Sequence, residues 1–426
     1  MTTRSLLRKI SSLYYTRWKT PIKHYSTTLN AINEPKYPGI KNNFTNCLKF
    51  INGESYESIP IYRILDPTGQ VNFPEDNKLD DKTITKIYCD MVTLSIMDKI
   101  MYESQRQGRI SFYMTNSGEE AVQIGSASAL TLEDTIYAQY REAGVLLWRG
   151  FHISKFMNQC YGNAEDEGKG RQMPVHYGSK DLNFVTISSP LTTQLPQAVG
   201  AAYAYKREKR KACVICYFGE GAASEGDAHA ALNFAATLAC PVIFLCRNNG
   251  YAISTPAHEQ FKGDGIAAKG PSYGINTIRV DGNDVFAVHY ATKAARDFCI
   301  NEGKPVLIEA MTYRAGHHST SDDSTAYRST EEIVLWSHVT PIQRYRQYLQ
   351  SLGLWSKEQE DELQTTIKRE ILHAFTEAER KPKPHWKEMF TDTYFKMPEH
   401  IRDQMHSMEQ HLATYHEHYP LQTHKS

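Results

Sequence analysis

An α/β fold, built on a parallel sheet with helices on both faces, is what this 426-residue sequence predicts. Three observations carry that expectation. The centre of the chain alternates short apolar runs with helical periods: Ala212–Phe218 then Asp227–Leu238, Pro241–Arg247, Thr277–Val280 then Val285–Ile300, and Pro305–Met311. Such a βαβα rhythm buries strands on both sides and requires helical crossovers. Glycines gather at one strand-to-helix turn, Gly219 to Gly226, and in sheets of this kind ligands sit where strands end and helices begin. Hydrophobic residues make up 41%, yet no apolar run approaches the roughly 20 residues that a bilayer-spanning helix needs.

Taken in order, residues 1–33 carry Arg4, Arg8, Lys9, Arg17, Lys19 and Lys23 among many Ser and Thr, and the first acidic residue is Glu34. A basic, hydroxyl-rich, acid-free start without a long apolar centre reads as a mitochondrial transit peptide and places the chain in the matrix. Residues 34–81 mix Pro, Gly, Asn and aromatics without a period and read as an irregular arm. From Lys82 to Arg106, Ile84, Ile87, Tyr88, Met91, Leu94, Met97 and Ile100 or Met101 fall on one helical stripe. A second helix is expected near Glu119–Leu130, and the α/β domain is expected to span 82–330. Beyond it, 331–426 reads as helices, broken by Lys381-Pro-Lys-Pro384.

Lys+Arg and Asp+Glu are equal at 48 each, so no global field recruits nucleic acid or an anionic membrane. The eight cysteines are scattered, as suits a reducing compartment. The one close pair, Cys213 and Cys216, lies in an apolar strand. There, residues three apart point to opposite faces, so a core role is expected rather than a redox dithiol.

The glycine-rich turn lets backbone N–H groups approach a phosphate. Glu220 sits inside it, however, and its carboxylate would repel phosphates unless a divalent cation bridged them. One α/β unit later the strand Pro241–Cys246 delivers Arg247-Asn248-Asn249-Gly250-Tyr251 to the same sheet edge. A carboxylate, an amide oxygen, a backbone carbonyl and phosphate oxygens suit octahedral Mg²⁺. A nicotinamide dinucleotide is the rival ligand. No acidic residue ends the second strand to hold a ribose, which leaves that rival only Arg247, gripping a 2′-phosphate. Arg141 precedes Glu142, so a simple ion pair between neighbours stays open for it, and His317-His318 matches no zinc spacing.

A Gly-Glu-Gly turn followed about 30 residues later by Asn resembles the thiamine-diphosphate motif of transketolase and the 2-oxo acid dehydrogenases. Three longer strings narrow the resemblance: Gly168-Lys-Gly-Arg-Gln-Met-Pro-Val-His-Tyr177, Ser188-Ser-Pro-Leu-Thr-Thr-Gln-Leu-Pro-Gln197 and Arg314-Ala-Gly-His-His-Ser-Thr-Ser-Asp-Asp323. From about residue 35 onward the chain is similar to alpha subunits of the branched-chain 2-oxo acid dehydrogenases. The pyruvate-specific relatives, which are the alternative, differ in the first and last of these strings.

The resemblance implies a thiamine-diphosphate-binding fold and assigns roles by position. Glu220, Asn249 and the backbone of Tyr251 would hold Mg²⁺. Tyr140, Arg141, Gly221, Ala222, Arg247 and His318 would hold the diphosphate, with Ser189 and Leu191 against the organic part of the cofactor. Ser188, Pro190, Thr193 and Gln194 would form a K⁺ site, and His318 is the candidate catalytic residue. It further implies a beta-type subunit that completes the site in an α2β2 heterotetramer, and a lipoyl-bearing dihydrolipoyl transacylase that accepts the acyl group. A regulatory kinase and phosphatase are implied to act on Ser319 and Ser329. The segment around Ser319 is polar and poor in apolar anchors, so its order is expected to come from contacts with the cofactor.

Overall fold

The computed structural model describes residues 45–71 and 79–425. The expected leader, 1–33, lies outside the described residues. The chain divides into two units, 1–55 and 56–426. The described part of the first holds a single helical turn, Gly53–Ser55. All that follows concerns the second.

Its centre is a seven-stranded sheet with every pairing parallel and the order β1-β8-β9-β5-β4-β2-β3. The long strands are β4 (Val214–Gly219), β5 (Val242–Asn248), β8 (Asn276–Asp281) and β9 (Val306–Met311), within one or two residues of the sequence expectation. Shorter strands extend the edges: β2 (Thr135–Tyr137) and β3 (Phe184–Val185) on one side, β1 (Ile61–Tyr62) on the other. The segment read as an irregular arm thus supplies an edge strand, with Ile61 opposite Arg279. Two or three residues per strand leave no readable alternation, which is why the sequence hides these edges. A small antiparallel hairpin, β6 (Tyr251–Ala252) and β7 (Thr255–Pro256), stands apart from the sheet.

Helices cover both faces. One core holds Cys213, Ile215, Tyr217, Ile243 and Leu245 from β4 and β5 and their flanks. Packed there are α1 (Asp81–Arg106), α2 (Glu120–Ser128) and, from later in the chain, Val285–Glu302. Asp80 caps α1 by accepting from the Thr83 N–H at 2.9 Å. The other core holds Val214, Cys216, Phe218, Phe244 and Cys246. Against it, after α3 (Ala143–Trp148) and α4 (Ile153–Tyr161), pack α5 (Gln194–Glu208) and α6 (Gly226–Leu238). Cys213 and Cys216 therefore sit in different cores, and all eight cysteines are free.

The crossover Val285–Glu302 is α7. It starts at fully buried Asp284, whose Oδ1 caps Phe286 and Ala287 while Oδ2 takes the N–H groups of Ile64 and Leu65, tying β1's segment to the core. Beyond residue 330 the chain is helical: α8 (Thr330–Ser337), α9 (Pro341–Ser351), α10 (Lys357–Arg380) and α11 (Glu399–Thr414). Tyr345, Leu349, Ile371 and Phe375 from α9 and α10 join the first core. No helix among the described residues is long and apolar enough to cross a membrane.

Parallel strands share a direction, so β2, β4, β5 and β9 end on one side of the sheet, with Gly219 in register with Arg247 and Asn248 with Met311. That edge delivers Tyr140–Glu142, Glu220, Asn249–Tyr251 and Arg314 to one place.

Candidate functional site

A cavity of about 400 Å³ opens at this edge. Its wall includes Tyr140, Arg141, Leu191, Glu220, Gly221, Ala222, Arg247, Asn249, Tyr251 and His318, which the sequence nominated, together with Gln139, Glu225, Ile253 and Arg314, which it did not. Ser189 is not on this wall: its hydroxyl pairs with Nε2 of buried His176, whose Nδ1 faces the Pro174 carbonyl at 3.0 Å.

The floor is a buried charge network. Arg247, 2% exposed, donates from Nε to Glu142 Oε1 at 2.6 Å and from Nη1 to Glu119. Glu142 turns away from the Arg141 side chain; its second oxygen accepts the backbone N–H groups of Gln139, Tyr140 and Arg141 at 2.9–3.0 Å. The neighbouring ion pair left open by the sequence is therefore not formed. Arg141 instead bonds the carbonyls of Thr115 and His318 and lies 3.9 Å from Glu119. Glu119 is the residue that sequence reasoning missed, since a lone Glu at a helix start carries no motif. Fully buried, it gathers Arg247, Arg141 and the Asn249 amide, and these cations hold its carboxyl below the usual range against the opposing effect of burial. Two carboxylates, Glu119 and Glu142, already pair with Arg247 and fix its guanidinium at the cavity wall.

Glu220 and Asn249 stand at adjacent strand ends, with the Asn249 N–H 3.4 Å from Glu220 Oε2. Glu119 fixes the Asn249 amide by taking its N–H at 2.8 Å, which leaves Oδ1 on the other side, accepting from the Tyr251 N–H at 3.1 Å. Glu220 is 1% exposed and its Oε1 has no partner among the described residues. Burial foremost, with Glu119 nearby, pushes its carboxyl up to about 7. An orphaned buried carboxylate oxygen beside an oriented amide is what a divalent cation would relieve. Among the described residues no group of three or more His, Cys, Asp or Glu could hold a metal by itself, so phosphate and carbonyl oxygens would complete such a shell. Gly221 is required by contact, because a Cβ there would come within 2.5 Å of the Ala252 side chain.

The rim is polar and partly strained. Ile253 and Thr192 are β-branched residues at φ +58° and +67°, a conformation that costs about 1–2 kcal/mol apiece. The Ile253 carbonyl accepts from Arg314 Nη2 at 2.8 Å. In the 188–194 segment, Thr193 Oγ1 donates to the Pro190 carbonyl at 3.1 Å, Gln194 Nε2 donates to the Tyr217 carbonyl at 3.0 Å, and the buried Gln194 Oε1 has no partner. Ser188 is exposed.

The segment 314–328 is held by its own polar network. Arg314, buried, donates to Tyr327 Oη at 2.8 Å; Tyr327 donates to Asp322 at 2.7 Å; Asp322 accepts the His318 N–H at 2.7 Å. Arg328 bonds the carbonyls of Arg314 and Gly316. The expectation of order through cofactor contacts overlooked these partners, because they lie within the segment's own length. His317 and His318 face opposite ways: His317 Nδ1 accepts from the Ser324 N–H at 3.0 Å, whereas His318 reaches the cavity edge-on to Tyr140. Ser319 is buried with Oγ 3.0 Å from Ser321 Oγ, and Ser329 caps α8 by accepting the Glu332 N–H at 3.1 Å.

The dehydrogenase E1 component family matches residues 88–387. The mitochondrial 2-oxoisovalerate dehydrogenase subunit alpha of Homo sapiens is 59% identical over 391 residues, covering 91% of this chain and 88% of that protein. Its counterpart of Bos taurus is 56% identical over 416 residues, covering 97% and 90%. The subunit alpha 2 of Arabidopsis thaliana is 52% identical over 386 residues, covering 90% and 82%.

Burial first, then the charges of Arg141 and Arg314, push the His318 imidazole down to about 3, so it is neutral at the cavity at physiological pH. A folded-state value below the unfolded one, about 6.5, means that the unfolded chain takes up this proton first. The resulting stability is complete above about pH 6.5 and falls away as pH drops toward 3. Unfolding midpoints measured from pH 7 to 5 should therefore fall more steeply for the unsubstituted chain than for His318→Gln. Parallel curves would show that His318 is not the group responsible.

Proposed function

Because the chain belongs to the dehydrogenase E1 component family, we propose that it is the alpha-type subunit of a mitochondrial branched-chain 2-oxo acid dehydrogenase, binding thiamine diphosphate through Mg²⁺ at the cavity beside Glu220. The single observation that carries the placement is the orphaned, buried Glu220 Oε1 facing the oriented Asn249 amide. When bound, thiamine diphosphate supplies the carbanion chemistry that removes CO₂ from a 2-oxo acid. The chain's part is to bind and orient. Glu220, Asn249 and the Tyr251 carbonyl would hold the metal; Tyr140, Arg141, Gly221, Ala222, Arg247 and His318 would meet the diphosphate, with Arg247 braced from behind by Glu119 and Glu142. Leu191 offers its apolar surface to the organic part of the cofactor, and Ser189 does so once released from His176. His318 stands at the cavity mouth, where a bound diphosphate would offset the charges of Arg141 and Arg314 and let the imidazole pass a proton. The unpartnered Gln194 Oε1, with the Pro190 carbonyl and the Ser188 and Thr193 hydroxyls, suits K⁺, which would brace the loop that carries Leu191.

One α/β domain lines the cavity, which supports completion by a beta-type chain in an α2β2 assembly in the mitochondrial matrix. The acyl group then passes to a lipoyl-bearing dihydrolipoyl transacylase. The proposed domain roles follow: a cleaved leader at 1–33, an arm at 34–81 of which Ile61–Tyr62 joins the sheet, the cofactor domain at 82–330 and a helical region at 331–426.

Three outcomes test this. Glu220→Gln and Asn249→Ala should each weaken Mg²⁺-dependent binding of thiamine diphosphate by about 2–4 kcal/mol, since a lost ligand leaves the diphosphate undercompensated. Calorimetric titration measures it, and unaltered affinity in both variants would remove the metal site. The purified chain alone should not decarboxylate 2-oxo acids, while adding its beta-type partner should give turnover of branched-chain 2-oxo acids in preference to pyruvate. Turnover by the single chain, or a preference for pyruvate, would sink the assignment.

Phosphorylation by a cognate kinase should inactivate the assembly through Ser319. A phosphate there adds about −1.5 to −2 charge at a buried hydroxyl in the loop whose Asp322 accepts the His318 N–H, so the loop must open. At Ser329 it would face the positive end of α8 and matter less. Turnover and loop proteolysis of Ser319→Ala and Ser329→Ala forms decide between them; inactivation persisting in Ser319→Ala but not in Ser329→Ala reverses the assignment.

A further inference from the structure

We propose that Glu332, on α8, is a positioning residue for the metal-binding turn: its carboxylate clamps Tyr251 to the end of β9. Glu332 Oε2 accepts the Tyr251 hydroxyl at 2.9 Å and Oε1 accepts the Tyr313 hydroxyl at 2.9 Å. Tyr251 closes the Asn249–Gly250 turn after β5, and Tyr313 follows β9, the neighbouring strand, immediately before Arg314. One side chain thus bridges two strand-end loops that line the cofactor cavity.

Three further features give this bridge weight beside the bonds from Glu119 and the backbone that also hold the turn. Gly250, at φ +86°, gives the turn no steric stiffness of its own. A second cavity of about 580 Å³ is bordered by Asn249, Tyr251, Phe261, Tyr313 and Trp336, so the turn is not packed against solid protein on every side. The clamp is itself secured: Arg328 lies 5.4 and 5.3 Å from the Tyr251 and Tyr313 rings, balancing the carboxylate between them. Trp336, one helical turn beyond Glu332, stacks on Tyr313 at 4.9 Å with the rings 6° from parallel. Helix α8 buries none of its residues, so these directed contacts dock it. Without the Glu332 acceptor, Tyr251 keeps its backbone carbonyl, but the carbonyl is no longer held where Glu220 and Asn249 converge.

The proposal rests on reading that turn as the Mg²⁺ site, and the experiment separates the two. In the chain assembled with its beta-type partner, binding of thiamine diphosphate is followed calorimetrically at stepped MgCl₂ concentrations. Glu332→Ala should raise the half-saturating Mg²⁺ concentration about tenfold, as loss of an outer partner of a metal ligand does, with the defect fading at saturating Mg²⁺. Glu332→Gln, which keeps an acceptor oxygen, should restore most of the affinity. Tyr251→Phe should shift the titration in the same direction, and Tyr251→Phe combined with Glu332→Ala should be no worse than Glu332→Ala, since the bond that Tyr251→Phe removes is already lost in Glu332→Ala. An unshifted Mg²⁺ titration in Glu332→Ala overturns the proposal while leaving the metal site standing. If that variant does not assemble, an unshifted Tyr251→Phe overturns it instead. An unsubstituted chain that binds the cofactor without Mg²⁺ overturns both readings.

Discussion

The site depends on one buried balance of charge, that of Glu119 and Glu142 against Arg247, with Arg141 close by. The first three are at most 2% exposed. Burying any of these ions alone would cost several kcal/mol, and the arrangement survives because almost every lone pair and N–H is used. Glu142 alone accepts three backbone N–H groups and a guanidinium. Removing one partner from such a set costs about 3–5 kcal/mol because an uncompensated charge stays behind. That stiffness is transmitted outward. The network pins the start of α2, the turn after β2 and the end of β5, which are far apart in sequence, and it sets which way the Asn249 amide points.

The late segment, 314–328, uses the same chemistry with less burial. Arg314, Tyr327, Asp322 and the His318 backbone form a chain of bonds, each modest by itself, and Arg328 stitches the segment to its own beginning. Directed bonds of this kind hold one geometry or none, unlike apolar packing, which yields gradually. A segment so built is firm while its charges match and gives way when one changes. Its position beside the cavity couples its order to what the cavity presents.

The cavity contrasts with the double core beneath it. Alternate residues of β4 and β5 feed opposite cores, so neither strand can slip by one residue without exchanging its two faces. A rigid sheet therefore sets the strand ends, and the polar networks above it adjust only side chains. The strain at Ile253 falls at the rim, where a turn rather than the main sheet meets the ligand space, and that at buried Thr192 falls next to Leu191 of the same wall.

Much of this was legible from the chain alone. The long strands and their helices were, because β4 and β5 each hold five apolar residues in a row and the strands alternate with helical periods, which leaves few alternatives. The glycine-rich turn with Glu220, and Asn249 one unit later, could also be read, because strand-end chemistry is local in sequence. The short edge strands β1, β2 and β3 could not, since two or three residues carry no period and pair only because the sheet is already there. Glu119, Arg314 and Glu332 were likewise invisible: an isolated carboxylate or guanidinium acquires meaning only from partners brought near it by folding. Sequence by itself determined the order of elements, the family likeness and the residue types at the strand ends. Tertiary structure alone decided which charges neutralise one another, pairing the Arg247 guanidinium with two buried carboxylates at the cavity wall, because electrostatic partnership depends on distance in space and not along the chain.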